Sequence, residues 1–169
     1  MYAIWFVFEK NDTEYFANII KELSVKYNSQ SFKPHITAYG LVEVNLDELD
    51  KIVTNSIQGE KQFVIEKSNV SYSDVFWKTL CVEFKPNEQL MRISRKLTES
   101  LESYSKYEFI PHVSLIYKKM NPEEQKVLVN SIVIKEHFKV TGMVIQQFHE
   151  DIEKWKIVKK HELILGKTL

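Results

Sequence analysis

Apolar residues along the chain fall into two alternating rhythms. Tyr2 to Phe8 is an unbroken apolar run, which predicts a strand buried on both faces. Phe16, Ile19, Ile20, Leu23 and Tyr27 then recur at helical spacing, and Asn11 with Glu14 resembles a capping box at the start. A strand follows from about His35 to Val42. Asn45 with Glu48 repeats the cap signal ahead of Leu46, Leu49, Val53 and Ile57, another helix face. Gln62 to Tyr72 reads as a strand of mixed polarity.

The order then repeats. Thr79 to Phe84 is an apolar strand. Pro86 suits a first helical position, and Leu90, Ile93, Leu97, Leu101 and Tyr104 follow at helical spacing. A strand spans about Pro111 to Tyr117. Asn121, Pro122 and Glu124 open a helix with Val127, Leu128 and Ile132 inside. Phe138 to Phe148 is a strand. A final strand from about Trp155 to Leu165 is joined to it by the polar turn Glu150-Asp151-Ile152-Glu153. Strand–helix–strand–helix–strand thus occurs twice, over about 1–75 and 76–169. The pattern predicts one α+β domain of two pseudo-symmetric lobes, with antiparallel sheets facing a central groove and helices outside.

Equivalent places in the two repeats carry one motif. Phe32-Lys33-Pro34-His35-Ile36-Thr37 and Phe109-Ile110-Pro111-His112-Val113-Ser114 both read Phe, any residue, Pro, His, a β-branched apolar residue, hydroxyl. The histidines are 112 − 35 = 77 residues apart. Side chains alternate along a strand, so His35 shares a face with Thr37 and His112 with Ser114. Ile36 and Val113 then point into a core, and the four polar side chains meet at the groove.

Composition narrows the reading. The 169 residues carry 23 basic and 23 acidic side chains, and this balance argues against a dedicated binder of long nucleic acid. Cys81 is the only cysteine, which rules out an intrachain disulfide and fits a reducing, cytoplasmic setting. No apolar run reaches membrane-spanning length. The first strand lacks a basic leader and reads as structure rather than as a signal peptide.

Two facing histidines suit in-line displacement at phosphorus. A neutral imidazole takes a proton from water, while an imidazolium gives one to the leaving oxygen. Hydroxyls two residues along can donate to the non-bridging oxygens. A metal site would need three or four convergent ligands, and no spacing here supplies them.

On these residues the chain resembles the two-histidine (2H) phosphoesterase superfamily, and within it the cyclic phosphodiesterases. Pro-His-Ile-Thr, Pro-His-Val-Ser-Leu-Ile-Tyr, Ile4-Trp5, Phe76-Trp77 and Trp155 carry the resemblance, and the element order matches over nearly the whole chain. The resemblance implies hydrolysis of 2′,3′-cyclic nucleotides to nucleoside 2′-phosphates, and of ADP-ribose 1″,2″-cyclic phosphate to ADP-ribose 1″-phosphate, without metal or cofactor. It implies catalytic roles for His35 and His112 and phosphate contacts for Thr37 and Ser114. It also places Trp5, Trp77 and Tyr117 around the nucleotide.

Strand parity qualifies the aromatic set. Trp77 follows the polar turn Ser71-Tyr72-Ser73-Asp74 and can reach the groove. Trp5 lies on the strand face opposite Ile4 and Phe6, so either set can face it. Tyr117, five residues past His112, needs the strand to end or bulge first; Tyr39, four past His35, has the right parity. His137, His149 and His161 read as surface or strand residues, Lys118 and Lys119 as solvated or as steering a phosphate, and Cys81 as inert. The expected partner is a small nucleotide bound by a monomer away from membranes. The alternatives are a phosphodiesterase of RNA 2′,3′-cyclic or 2′-5′ ends and a nucleotide-binding module that does not turn over.

Overall fold

The computed structural model describes residues 1–166. Seven antiparallel strands and four helices alternate: β1 (Tyr2–Phe8), α1 (Lys10–Tyr27), β2 (Ile36–Val42), α2 (Leu46–Ser56), β3 (Phe63–Tyr72), β4 (Leu80–Phe84), α3 (Glu88–Leu101), β5 (His112–Ile116), α4 (Pro122–Ser131), β6 (His137–Gln147) and β7 (Lys156–Glu162). Short 3₁₀ turns at Phe76–Lys78 and Ile152–Lys154 precede β4 and β7.

Helix starts follow local chemistry. Asn45 accepts from the Asp47 N–H at 2.9 Å, and Asn121 from Glu123 at 2.9 Å with Pro122 in the first turn. Two expected starts are corrected. α1 begins before Asn11, on Glu9, with no side-chain cap. Its first turn is tied down instead by buried Asp12, which accepts from the Lys139 N–H at 2.7 Å and pairs with Lys135. α3 is capped by Asn87, which accepts from Gln89 and Leu90, so Pro86 lies outside the helix. α3 also stops at Leu101, leaving Tyr104 exposed, and Val127 faces outward from α4. Burying each of Phe16, Ile20, Leu90, Ile93 and Leu97 contributes about 1.5–3 kcal/mol.

The strands are neighbours in the order β1-β2-β5-β4-β3-β6-β7, and β6 also pairs with β1. The first six therefore close a ring, flanked by β7. Exchanging β1 with β4, β2 with β5 and β3 with β6 leaves this pairing unchanged. Two pairs map onto themselves: Ile36–Val113, where 113 − 36 = 77, and Phe63–Val140, where 140 − 63 = 77. A pseudo-two-fold axis thus runs through both contacts with the spacing of the two motifs. The halves interleave, since β3 pairs only with strands of the second repeat and β6 reaches back to β1. Among the described residues no helix is long and apolar enough to cross a membrane.

Candidate active site

Ile36 and Val113 pair on the axis and are fully buried. Alternation turns the residues on either side of them the other way. His35, Thr37, His112 and Ser114 consequently line one groove of about 310 Å³. The two imidazoles are tied to the backbone alike. Nδ1 of His35 lies 2.7 Å from the Lys33 carbonyl, and Nδ1 of His112 lies 2.7 Å from that of Ile110. A carbonyl only accepts, so each Nδ1 carries the hydrogen and each neutral ring keeps Nε2 free as an acceptor.

A shared irregularity selects the tyrosines. On β2 the register with β1 slips one residue between the pairs Trp5–Thr37 and Ile4–Tyr39. On β5 the register with β4 slips at the equivalent place, between Cys81–Ser114 and Leu80–Ile116. Each slip inverts the parity beyond it. Tyr39 is therefore driven into the core, 0% exposed, and donates its hydroxyl to the Ser105 carbonyl at 2.6 Å. Its expected place in the site is corrected on that ground. Gly40 and Tyr117, five residues past their histidines, face the groove. A Cβ at Gly40 would lie 2.7 Å from the Tyr107 ring, which also lines the groove, so any side chain there must displace that ring.

Trp77 rides on the 3₁₀ turn before β4. Ser73 donates to the Lys78 carbonyl at 2.8 Å, and Thr79 Oγ1 lies within bonding distance of the Phe76 and Lys118 carbonyls. Buried Gln125 donates to the carbonyls of Ser73 and Thr79 at 2.7 and 2.9 Å. This web holds a 42% exposed indole at the groove rim, 4.9 Å from Tyr117 and 6.0 Å from Trp155 between ring centres. Ser114 belongs to the same web. Its hydroxyl donates to the Trp77 carbonyl at 2.6 Å, so it is engaged with protein rather than free for a ligand.

Trp5 also lines the groove, but its ring lies flat on His35, with centres 3.6 Å apart and planes 9° from parallel. Burial pulls the His35 pKa down to about 4, against the Lys33 carbonyl, which raises it; nearby His112 adds to the fall. The His112 pKa is also lowered, first by burial, with the Ile110 carbonyl opposing and Lys78 contributing. Two acid–base groups in one groove, backed by hydroxyls and walled by aromatic rings, can move two protons across a bound ester.

His137 and His149 are exposed, and His161 Nε2 lies 2.9 Å from Asp50 outside the groove. Lys118 is half-buried, with its ammonium hydrogen-bonded to the Tyr27 carbonyl, and Lys119 is exposed. Burial pushes the Cys81 thiol up to about 11, which suits an inert role. Among the described residues no cluster of His, Cys, Asp or Glu is arranged to hold a metal ion. Lys78, Tyr107, Gln146, Phe148 and Trp155 line the groove without having been singled out as site residues. The polar turn that pointed to Trp77 pointed equally to Lys78, and Trp155 had a signal in the motif resemblance. The other three had none.

Comparison with known proteins agrees with this architecture. The Arabidopsis thaliana protein named cyclic phosphodiesterase is 20% identical, over 75% of this chain and 70% of its own. The Kluyveromyces lactis protein named 2′,3′-cyclic-nucleotide 3′-phosphodiesterase is 23% identical, over 92% and 82%. The crystal structure of E. coli LigT complexed with 3′-AMP superposes with a TM-score of 0.64 at 12% identity, covering 96% of this chain and 97% of that one. TT0787 of Thermus thermophilus gives 0.61 at 16% identity, covering 96% and 98%. At these identities the structural likeness is one of fold. A family model described as cyclic phosphodiesterase-like protein matches residues 1–164, so the chain belongs to that family of two-histidine phosphoesterases.

Proposed function

We propose that this enzyme opens 2′,3′-cyclic nucleotides, or ADP-ribose 1″,2″-cyclic phosphate, by metal-independent acid–base catalysis on His35 and His112. The observation that carries the reading is the pair of free Nε2 atoms on axis-related histidines in one groove. In-line displacement needs a base and an acid on opposite sides of phosphorus, and a pseudo-two-fold site supplies that geometry.

His35 is the base in this scheme. Its low pKa keeps it neutral at working pH, so Nε2 accepts a proton as the water oxygen bonds to phosphorus. His112, less enclosed, protonates the ester oxygen as its bond to phosphorus breaks. One water is consumed and a phosphomonoester is formed. Bound phosphate carries negative charge, which favours protonated His112 in the complex. Thr37 Oγ1 meets a non-bridging oxygen, and Ser114 does so by releasing the Trp77 carbonyl. The names of the Arabidopsis and Kluyveromyces relatives point to the same substrate class.

The test is direct. Purified enzyme is incubated in chelator with 2′,3′-cyclic AMP and, separately, with ADP-ribose 1″,2″-cyclic phosphate, and the products are resolved. Conversion of at least one to its phosphomonoester is expected. Failure to open either, or activity only after a divalent ion is restored, overturns the reading.

A further inference from the structure

The fold is symmetric about the groove, but the surroundings of its two histidines are not. The strand neighbour of Thr37 is Trp5, and the strand neighbour of Ser114 is Cys81. Position for position, an indole roofs one motif where a thiol stands beside the other. The Cys81 thiol lies 3.8 Å from the Ser114 hydroxyl.

Trp5 has no face to offer a nucleotide. One face is covered by His35. The ring is 3% exposed and packs in a small apolar cluster with Ala3 and Val144, against Val7, Trp155 and Ile157. A nucleobase platform needs an open ring face, and among these aromatics the half-exposed Trp77 presents one.

What Trp5 supplies is a second constraint on His35. The Lys33 carbonyl fixes which way the imidazole edge points, by bonding Nδ1. The parallel indole fixes the plane of the ring. With both in force, Nε2 has one direction available. His112 has the first constraint, and among the described residues no aromatic ring stacks on it.

We propose that Trp5 is a positioning residue for His35, setting the direction of the proton-accepting Nε2, and takes no part in holding the base. This rests on the two-histidine reading above. Misplacing a reacting group by about 1 Å can cost about 100-fold, whereas loss of a base platform is felt as affinity.

The experiment compares Trp5→Met with Trp5→Phe on a cyclic nucleotide, alone and in a His35→Ala background. Met keeps apolar volume for folding but has no flat face, while Phe keeps one. Trp5→Met is expected to lower kcat roughly 10- to 100-fold with KM within about twofold, and Trp5→Phe to restore most of the loss. In the His35→Ala background Trp5→Met should have little further effect, because its target is gone. A raised KM with unchanged kcat overturns the inference, as does equal loss in Met and Phe, or full additivity with His35→Ala. Near-normal turnover in His35→Ala alone overturns the two-histidine reading itself, a separate outcome.

Discussion

His35 and His112 share one backbone tie and differ in what surrounds them, and the difference shows in their proton affinities. General acid–base catalysis contributes about 10²–10⁴-fold, so His35→Ala and His112→Ala should each lower kcat by roughly that factor. Both pKa values lie below the ordinary 6.5, His35 near 4. The free enzyme is competent with the base neutral and the acid protonated, so the maximum of kcat/KM should fall on the acid side of pH 6.5. A pH profile on a cyclic mononucleotide checks this; an optimum well above pH 7 would contradict the lowered pKa values of the two histidines. Stability follows the same sign. The unfolded chain binds a proton at His35 that the folded chain refuses. That refusal costs nothing above pH 6.5 and destabilises the fold increasingly as pH falls toward 4, with a slope of up to about 1.4 kcal/mol per pH unit. Urea titrations across that window should be flatter in His35→Ala. At the rim, Trp77→Ala should raise KM more than it lowers kcat, because stacking of about 1–3 kcal/mol is felt in ground and transition states alike.

Strand irregularities, more than strands, arrange the groove. The paired slips on β2 and β5 move the groove-facing position from four residues past each histidine to five. One slip delivers Gly40 and the other Tyr117. Gly40→Ala would press a methyl into the Tyr107 ring, whose hydroxyl donates to the Thr37 carbonyl at 3.2 Å. Overpacking of this kind costs about 1–3 kcal/mol. The melting temperature of Gly40→Ala should fall accordingly, with kcat/KM reduced because Thr37 is tied to the displaced ring. An unchanged melting temperature would show that Tyr107 yields freely.

Across the whole molecule, charge is balanced, and Lys78 is the lone Lys or Arg among the residues lining the groove. A protein making 6–10 phosphate contacts loses about 10³–10⁵ in affinity between 50 and 200 mM salt. For this enzyme kcat/KM on a mononucleotide should change by less than about tenfold over that range. A steep decline, with preference for oligonucleotides, would favour the RNA-end activity instead. The ring of six strands gives each half of the chain only part of a sheet. Separate halves are accordingly expected to stay unfolded, a circular dichroism measurement on residues 1–75 being the check.

Periodicity along the chain sufficed for the alternation of helices and strands, because burial of one face imposes a period of 3.6 or 2 whatever lies opposite. The duplicated motif placed His35, Thr37, His112 and Ser114 on shared faces for the same local reason. What needed the third dimension was everything set by partners distant in sequence. Tyr39 has the right parity in its own strand and loses it to a slip defined against β1. Asp12 anchors α1 through Lys139, 127 residues away, which no cap rule reads. Trp155 enters the groove from a segment that has no counterpart in the repeat. Trp5 faces the groove as strand alternation allowed, but only the pairing of β1 with β2 lays it on His35 instead of leaving it free for a nucleotide.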